Sequence, residues 1–298
     1  MISVGVDAGG TSTVAAVSKD GEFVREARGR GANATTLGAD DAADVIIRTI
    51  RDVVAGAAPD AIYVGAAGAG RKRVGGQLRE SIESAFRGAH VVVGDDAAIA
   101  FRAAIPDGDG AVLIAGTGST AFAEHGDRSQ RVGGLGYVAG DEGSAFWIGM
   151  QAVKLFGRVL DGRASRDETT DLVARALDVT DREGYVAALY DRAVDPAQVA
   201  ALAPSIIAFA GKGNRASTKI VQQAAQELGD LVKAALRAVQ LLDASPRIAL
   251  AGGLFRENSL LTFLLETRLN GDVAGATIVK GGDEPARGAL RLAERLAR

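Results

Sequence analysis

The sequence predicts an α/β protein made of two similar halves, the second carrying a long helical insertion, and three observations lead there. Apolar runs of strand length alternate with segments of helical period, with glycine-rich joints between them, the pattern of a buried sheet flanked by helices. Residues 8–16 laid over 115–123 agree at Ala8, Gly9, Ser12, Thr13 and Ala16 with Ala115, Gly116, Ser119, Thr120 and Ala123. The stretch 143–242 reads as helix almost throughout, an insertion between strands rather than a further domain.

In chain order, strands are expected at 2–6, 12–17 and 22–26, short apolar runs separated by turn residues such as Gly9-Gly10. A helix at 40–55 leads to a strand at 61–66, a helix at 74–86 to a strand at 90–94, and a helix at 96–104 ends the first half. The second half opens with strands at 111–115, 119–124 and 131–135, followed by insertion helices at 143–160, 166–177, 198–210 and 215–242. A strand at 247–251, a helix at 258–269, a strand at 276–279 and a helix at 285–297 complete it. The segment 62–68 corresponds in pattern to 248–254, and 92–97 to 278–284. Each half thus reads as a hairpin, a strand ending in glycine, and a strand leading through a carboxylate into a helix. The expected domains are 1–108 and 109–284, with 285–298 a C-terminal helix packing back on the first.

Composition removes several classes of function. The chain of 298 residues is long enough to rest on its core alone, and it has no cysteine. Thiol nucleophiles, disulfides, cysteine zinc sites and cysteine-held iron–sulfur clusters are therefore excluded. Thirty-four basic against 37 acidic residues give a net charge of −3, without the basic excess that draws proteins to nucleic acids or anionic membranes. Its two histidines, His90 and His125, stand apart and offer little for a histidine triad or a multi-histidine metal site. The amino terminus lacks the regions of a secretion signal, and the longest uncharged stretch, 196–211, is short and broken by Pro204. A cytoplasmic protein with no membrane or nucleic-acid partner is expected.

Several short constellations carry chemistry. Asp7-Ala8-Gly9-Gly10-Thr11-Ser12-Thr13 joins two strands, so its glycines lie at a hairpin tip where backbone N–H groups can face an anion. The same glycines also suit an ordinary tight turn. Asp7 at the strand end is a candidate ligand for Mg2+, directly or through water, because hard cations take carboxylate oxygen. Ala115-Gly116-Thr117-Gly118-Ser119-Thr120 repeats the device, and two facing hairpins suit a polyphosphate held between the halves. Gly252-Gly253 permits close approach of a base or ribose, though glycine after a strand is commonplace. Asp96 opens a helix, which either it or its neighbour Asp95 can cap; the other role open to Asp96 is to accept a hydroxyl proton during phosphoryl transfer. Gly133-Gly134-Leu135-Gly136 and Gly140-Asp141-Glu142-Gly143-Ser144 place two carboxylates ahead of an apolar helix, to receive sugar hydroxyls or to form its capping turn. Arg71-Lys72-Arg73 reads as a solvated face. A Gly-x-x-x-x-Gly-Lys-Ser/Thr loop is absent, as is a Gly-x-Gly-x-x-Gly opening a βαβ unit.

Together these segments resemble the N-acetylglucosamine kinase group that shares a family with the BadF/BadG/BcrA/BcrD ATPases, in the hexokinase- and actin-like ATPase superfamily. Asp7–Thr13 matches the first phosphate motif, Ala115–Thr120 the second and Ala251-Gly252-Gly253-Leu254 the adenosine motif, while 133–147 looks very like the sugar-side loop. The resemblance implies a duplicated ribonuclease-H-like (actin-like ATPase) two-domain fold. It implies an ATP-dependent, Mg2+-using kinase acting on the 6-hydroxyl of an amino sugar, with N-acetylglucosamine first and glucosamine next. N-acetylmuramic acid joins them if Arg71 or Arg73 reaches its carboxylate. Asp96 matches the catalytic base, and Asn33, Asp96, Gly134, Leu135 and Asp141 match sugar-contacting positions. Gly9, Gly10, Thr11, Thr117, Gly118, Ala210, Gly252 and Gly253 match the ATP side, and kinases of this type are often homodimers. The family's iron–sulfur activators hold their cluster on cysteines, so this chain stands outside that branch. The alternative within the superfamily is a nucleotide-driven switch that transfers phosphate only to water.

Overall fold

The structure, a computed structural model, describes residues 1–69, 72–191 and 195–297. It divides into two units, Met1–Gly108 with the segment from Lys280 onward, and Asp109–Val279. In unit 1, β1 (Ile2–Ala8), β2 (Ser12–Lys19) and β3 (Glu22–Arg30) form an antiparallel meander. Next come α1 (Ala34–Leu37), α2 (Ala39–Val54), β4 (Ala61–Ala66), α3 (Lys72–Ala85), β5 (His90–Asp95) and α4 (Asp96–Ala104). The sheet order is β3-β2-β1-β4-β5, with β4 parallel to β1 and β5 parallel to β4.

Unit 2 begins with β6 (Gly110–Ala115), β7 (Ser119–His125) and β8 (Arg128–Gly133), again an antiparallel meander. Six helices follow: α5 (Ala145–Leu160), α6 (Glu168–Leu177), α7 (Arg182–Tyr190), α8 (Pro196–Ala200), α9 (Ala203–Gly211) and α10 (Arg215–Ala238). The chain returns through β9 (Arg247–Ala251), α11 (Leu260–Asp272) and β10 (Thr277–Val279), and α12 (Pro285–Leu296) belongs to unit 1. The second sheet runs β10-β9-β6-β7-β8 with β9 parallel to β6, the order of the first sheet read from its other edge. Each unit therefore has the ribonuclease-H-like plan, and the fold is the duplicated, actin-like one.

Burial explains how each sheet is covered. In unit 1, Val4, Val6, Ile62 and Val64 point to one face and are buried against Ile46 and Ile50 of α2 and Leu78 and Ile82 of α3. The opposite face has small residues, because backbone lies directly on it. A Cβ at Gly5 would fall 1.9 Å from Leu290 N, and one at Gly288 would fall 2.0 Å from Ile99 O. Glycine at both positions lets α12 lie against β1 and α4, with Val14, Ala16, Ala286 and Leu290 buried alongside. In unit 2 the core gathers Leu113 and Ala121 from the sheet, Phe146, Ile148 and Phe156 from α5, and Val221, Leu228 and Val232 from α10.

Three expectations are corrected. The strand placed at 131–135 is β8 at Arg128–Gly133, because Gly133 (φ 77°) and Gly134 (φ 67°) leave the extended region. The helix placed at 198–210 is two, α8 and α9, with Pro204 in the first turn of α9, where the lack of an N–H breaks no hydrogen bond. The single-turn α1 falls where no element was expected, and α7 lies within the helical 143–242 stretch at a place given no helix of its own; α7 buries only Ala188 in its own span and has little apolar periodicity to announce it. Among the described residues no helix is long and apolar enough to cross a membrane.

Gly288→Ala should lower stability by about 2 kcal/mol or more, since the added methyl meets backbone that cannot move alone. An unchanged urea midpoint would contradict this account of how α12 is held.

Candidate active site

In unit 1 the parallel register brings the strand ends together. Asp7 is opposite Gly65 and Gly65 opposite Gly94, while Ala8, Ala66 and Asp95 form the next row. Loops leaving these ends define one edge of the sheet, where ligands of open α/β sheets generally bind. The first hairpin is closed by Gly9 N–H donating to Ser12 O at 3.0 Å, and Ala32 N–H donates to Gly9 O at 2.9 Å. Gly31 permits that approach, because a Cβ there would lie 2.0 Å from Gly10 O. The strap that Gly31 seats carries Asn33, whose Oδ1 accepts from Thr35 N–H at 2.8 Å and caps α1. Its Nδ2 is turned toward the hairpin, 4.0 Å from where a methyl on Gly10 would be.

The two adjacent carboxylates at the head of α4 have different positions. Asp95 is the N-cap, extended (φ −71°, ψ 140°), and accepts from Ala97 N–H at 2.8 Å; Asp96 is the first helical residue. The capping role left open between them belongs to Asp95, which releases Asp96 from it. Asp7 is half-buried, and no hydrogen bond from the described residues reaches its carboxylate. Desolvation, with a smaller contribution from the negative charge of Glu284, pushes its pKa up to about 6.

In unit 2 the hairpin between β6 and β7 is anchored from beneath. Ala145 and Phe146, in the first turn of α5, donate to Gly116 O (2.9 Å) and Thr117 O (3.3 Å), while Ser144 caps Trp147 N–H. Buried Asp141, at φ 60°, accepts from the N–H groups of Ser119 and Gly136. Burial raises its pKa, Ser119 N–H opposes this, Glu142 adds to it, and Arg131 and Gly136 N–H oppose it further. A Cβ on Gly118 would lie 2.9 Å from both oxygens of Asp141, so glycine is required there. Gly252 has φ 102°, and a Cβ on it would strike Ala115 O at 2.3 Å; this draws the β9–α11 loop across the end of β6, beside the hairpin.

Two adjoining recesses lie along this loop. One, of about 320 Å³, is walled by Pro204, Ile207, Ala208 and Gly211 of α9 and by residues from Gly253 to Leu260, including Arg256, Glu257 and Asn258. The other, of about 370 Å³, is lined by Gly116, Thr117, Ala145 and residues of α8, and shares Pro204, Gly253 and Leu254 with the first. Such volumes are those of small-molecule sites.

The hairpin glycines separate the turn reading from the ligand reading. None of Gly9, Gly10, Gly116 and Gly118 has a left-handed φ, so the turn conformation does not call for them. A Cβ would meet nothing within 4 Å at Gly116 or Gly253, and only the Asn33 amide at 4.0 Å at Gly10. At these three positions the space over the backbone is open rather than filled by protein. The N–H groups of Gly10, Thr11, Thr117 and Gly118 donate to no acceptor among the described residues, at exposed or partly exposed tips. This is the geometry of an anion-binding backbone.

Of the positions singled out in the sequence, Asp7, Gly9, Gly10, Thr11, Asn33 and Asp96 gather at one sheet edge of unit 1. Thr117, Gly118, Asp141, Gly252 and Gly253 gather at the end of β6 in unit 2. Gly134 N–H donates to Ser119 O at 2.8 Å, and Leu135 beside it is 76% exposed. Asp141 is turned onto the hairpin backbone rather than outward. Ala210 is buried in the core, and α9 presents Ile207, Ala208 and Gly211 to the recess instead. Arg71 lies outside the described residues, and Arg73 is exposed in the first turn of α3. Gly31, Gly68, Arg256 and Asn258 were missed; Gly68 (φ 86°) closes the loop after β4 against Thr35, and only its neighbouring Ala-Gly run hinted at a turn.

The BadF/BadG/BcrA/BcrD ATPase family matches residues 4–293. An N-acetylmuramic acid/N-acetylglucosamine kinase of Clostridium acetobutylicum is 28% identical over 234 residues, 78% of this chain and 76% of the relative. A glucosamine kinase of Vibrio cholerae is 28% identical over 239 residues, 76% of this chain and 77% of the relative. The crystal structure of a candidate N-acetylglucosamine kinase from Chromobacterium violaceum has a TM-score of 0.73 at 27% identity, covering 98% of each chain. With the family matched across nearly the whole chain and its fold in both units, this chain is a member of the BadF/BadG/BcrA/BcrD ATPase family.

Proposed function

We propose that the protein transfers the γ-phosphoryl group of ATP to the 6-hydroxyl of an amino sugar, with N-acetylglucosamine the leading acceptor and glucosamine the next. The observation that carries the reading is a hairpin tip with open N–H groups in each unit, the one in unit 2 beside recesses of small-molecule size. The acceptor class rests on the relatives, which are named for muramic, acetylated and free amino sugars at equal identity.

Phosphoryl transfer needs positioning and charge neutralisation more than covalent chemistry. In unit 2 the N–H groups of Thr117 and Gly118 would receive phosphate oxygens, and Gly252-Gly253 with the wall of α9 would hold the nucleoside; in unit 1 the N–H groups of Gly10 and Thr11 would likewise receive phosphate oxygens. Among the described residues no group of three or more acidic or histidine side chains is placed to hold a metal. One half-buried carboxylate whose charge is uncompensated, Asp7, fits a Mg2+ that arrives on ATP, held directly or through water. The ion supplies neutralisation of developing phosphate charge. Asp96 would accept the proton of the 6-hydroxyl as that oxygen attacks the γ-phosphorus and ADP departs. Asn33 Nδ2 would donate to a sugar hydroxyl.

Asp96→Asn should reduce sugar-dependent ADP release by about 100-fold or more. Asp95→Asn, in which the amide oxygen can still cap α4, should retain most of it; equal losses would remove the distinction between the two. Run on glucosamine, N-acetylglucosamine, N-acetylmuramic acid and glucose, the same assay ranks the acceptors, and ADP release indifferent to all of them would overturn the kinase reading.

Gly116→Ala should leave the melting temperature nearly unchanged, since no protein atom meets the new methyl, yet raise the KM for ATP about tenfold. An unaltered KM would remove that tip from the nucleotide site.

For Asp7 the sign is fixed by its raised pKa. Between its ordinary 3.8 and about 6 the folded chain holds a proton that the unfolded chain has lost, so stability is full below pH about 4 and falls as pH rises through 6. Without ligands, Asp7→Asn should be the more stable protein at pH 8 by on the order of 2 kcal/mol, the difference vanishing toward pH 4, while its turnover collapses. A variant less stable than the parent at pH 8 would contradict this.

A further inference from the structure

We infer that the helical segment of unit 2 has a second ligand site, for a small phosphate ester, in the cavity at the C-terminal end of α5. The cavity measures about 420 Å³, larger than either recess beside the Thr117 tip. Lys154, Arg158, Arg163 and Arg182 line it against a single carboxylate, Asp161, in a chain whose net charge is −3. Asp161 is paired with Arg163 and Arg182. Lys154 and Arg158, one turn apart on the exposed side of α5, pair with no carboxylate among the described residues. A neighbouring recess of about 400 Å³ shares Lys154 and Arg158, adds Lys219 from α10, and has no acidic side chain in its lining.

Helix capping does not account for these cations. The last carbonyls of α5 already accept backbone N–H groups: Gly157 O from Asp161, Arg158 O from Arg163 at 2.8 Å, and Val159 O from Gly162 at 3.0 Å. The floor of the cavity is fixed independently of any ligand. Tyr185 Oη donates to Val153 O at 2.9 Å, its ring meets Phe156 edge-on at 5.7 Å, and the missing side chain of Gly157 lets it approach. A concave site with a fixed floor and an excess of guanidinium and ammonium groups matches a dianionic phosphate, whose oxygens take forked N–H donors. The volume suits a phosphorylated metabolite of a few carbons and is too small for a nucleic-acid strand.

The test is a calorimetric titration with 3-phosphoglycerate, glycerol serving as the neutral control, on protein whose nucleotide site is saturated with Mg2+ and a non-hydrolysable ATP analogue. One saturable site is expected. It should weaken about tenfold or more in the double variant Lys154→Gln, Arg158→Gln, whose side chains are exposed, and tighten several-fold in Asp161→Asn, which frees two arginines. Affinity for the ATP analogue should be the same in all three proteins. Absence of saturable binding up to about 10 mM, or binding that neither variant changes, would overturn the assignment.

Discussion

Backbone N–H groups at two hairpin tips have no acceptor among the described residues, and much of the surrounding structure keeps them so. A polar group left without a partner is unfavourable unless water or a ligand meets it, which makes each tip a place reserved for an anion. In unit 2 the neighbouring donors are all engaged: Ser119 N–H by Asp141, and Ala145 and Phe146 N–H by the hairpin's own carbonyls. The first turn of α5 therefore props the hairpin instead of binding phosphate itself. In unit 1 the strap at Gly31–Ala32 bonds Gly9 O and leaves the tip bare. Glycines that the fold demands, such as Gly252 and Gly31, bring the segments close; glycines that it does not demand, Gly10 and Gly116, leave room above the backbone.

Carboxylates divide the remaining work by environment. Asp95 closes the head of α4, which leaves Asp96 the member of the pair whose side chain is not the cap. Asp141 is held inward by two N–H groups and serves the hairpin's shape. The Asp7 carboxylate caps no helix and takes no hydrogen bond from the described residues; burial raises its pKa, a cost that a cation would relieve. These aspartates, of one chemical type, thus differ through burial and donors rather than through sequence neighbourhood.

Much of this was legible in the sequence, and what was not has physical causes. The duplicated hairpins stood out because the strand–glycine–strand pattern recurs with its residues in order, and the two sheets do share one strand order. Asp95 and Asp96 could not be separated, because capping depends on a backbone dihedral set where β5 turns into α4. Pro204 looked like a helix interior although it begins one, since a first-turn proline leaves apolar periodicity unbroken on both sides. Ala210 illustrates the converse: it is on the correct helix but buried, and which face α9 exposes is decided by its packing on α10 and α5. The walls of the cavities come from segments far apart in the chain, with no motif to link them.

The central claim is that phosphate leaves ATP for a carbon-6 oxygen. Phosphorus NMR of the protein with Mg-ATP and N-acetylglucosamine tests it most directly. The account predicts a phosphomonoester resonance, coupled to the two protons on carbon 6, growing in step with ADP. Inorganic phosphate growing with ADP while the sugar stays unmodified would contradict it.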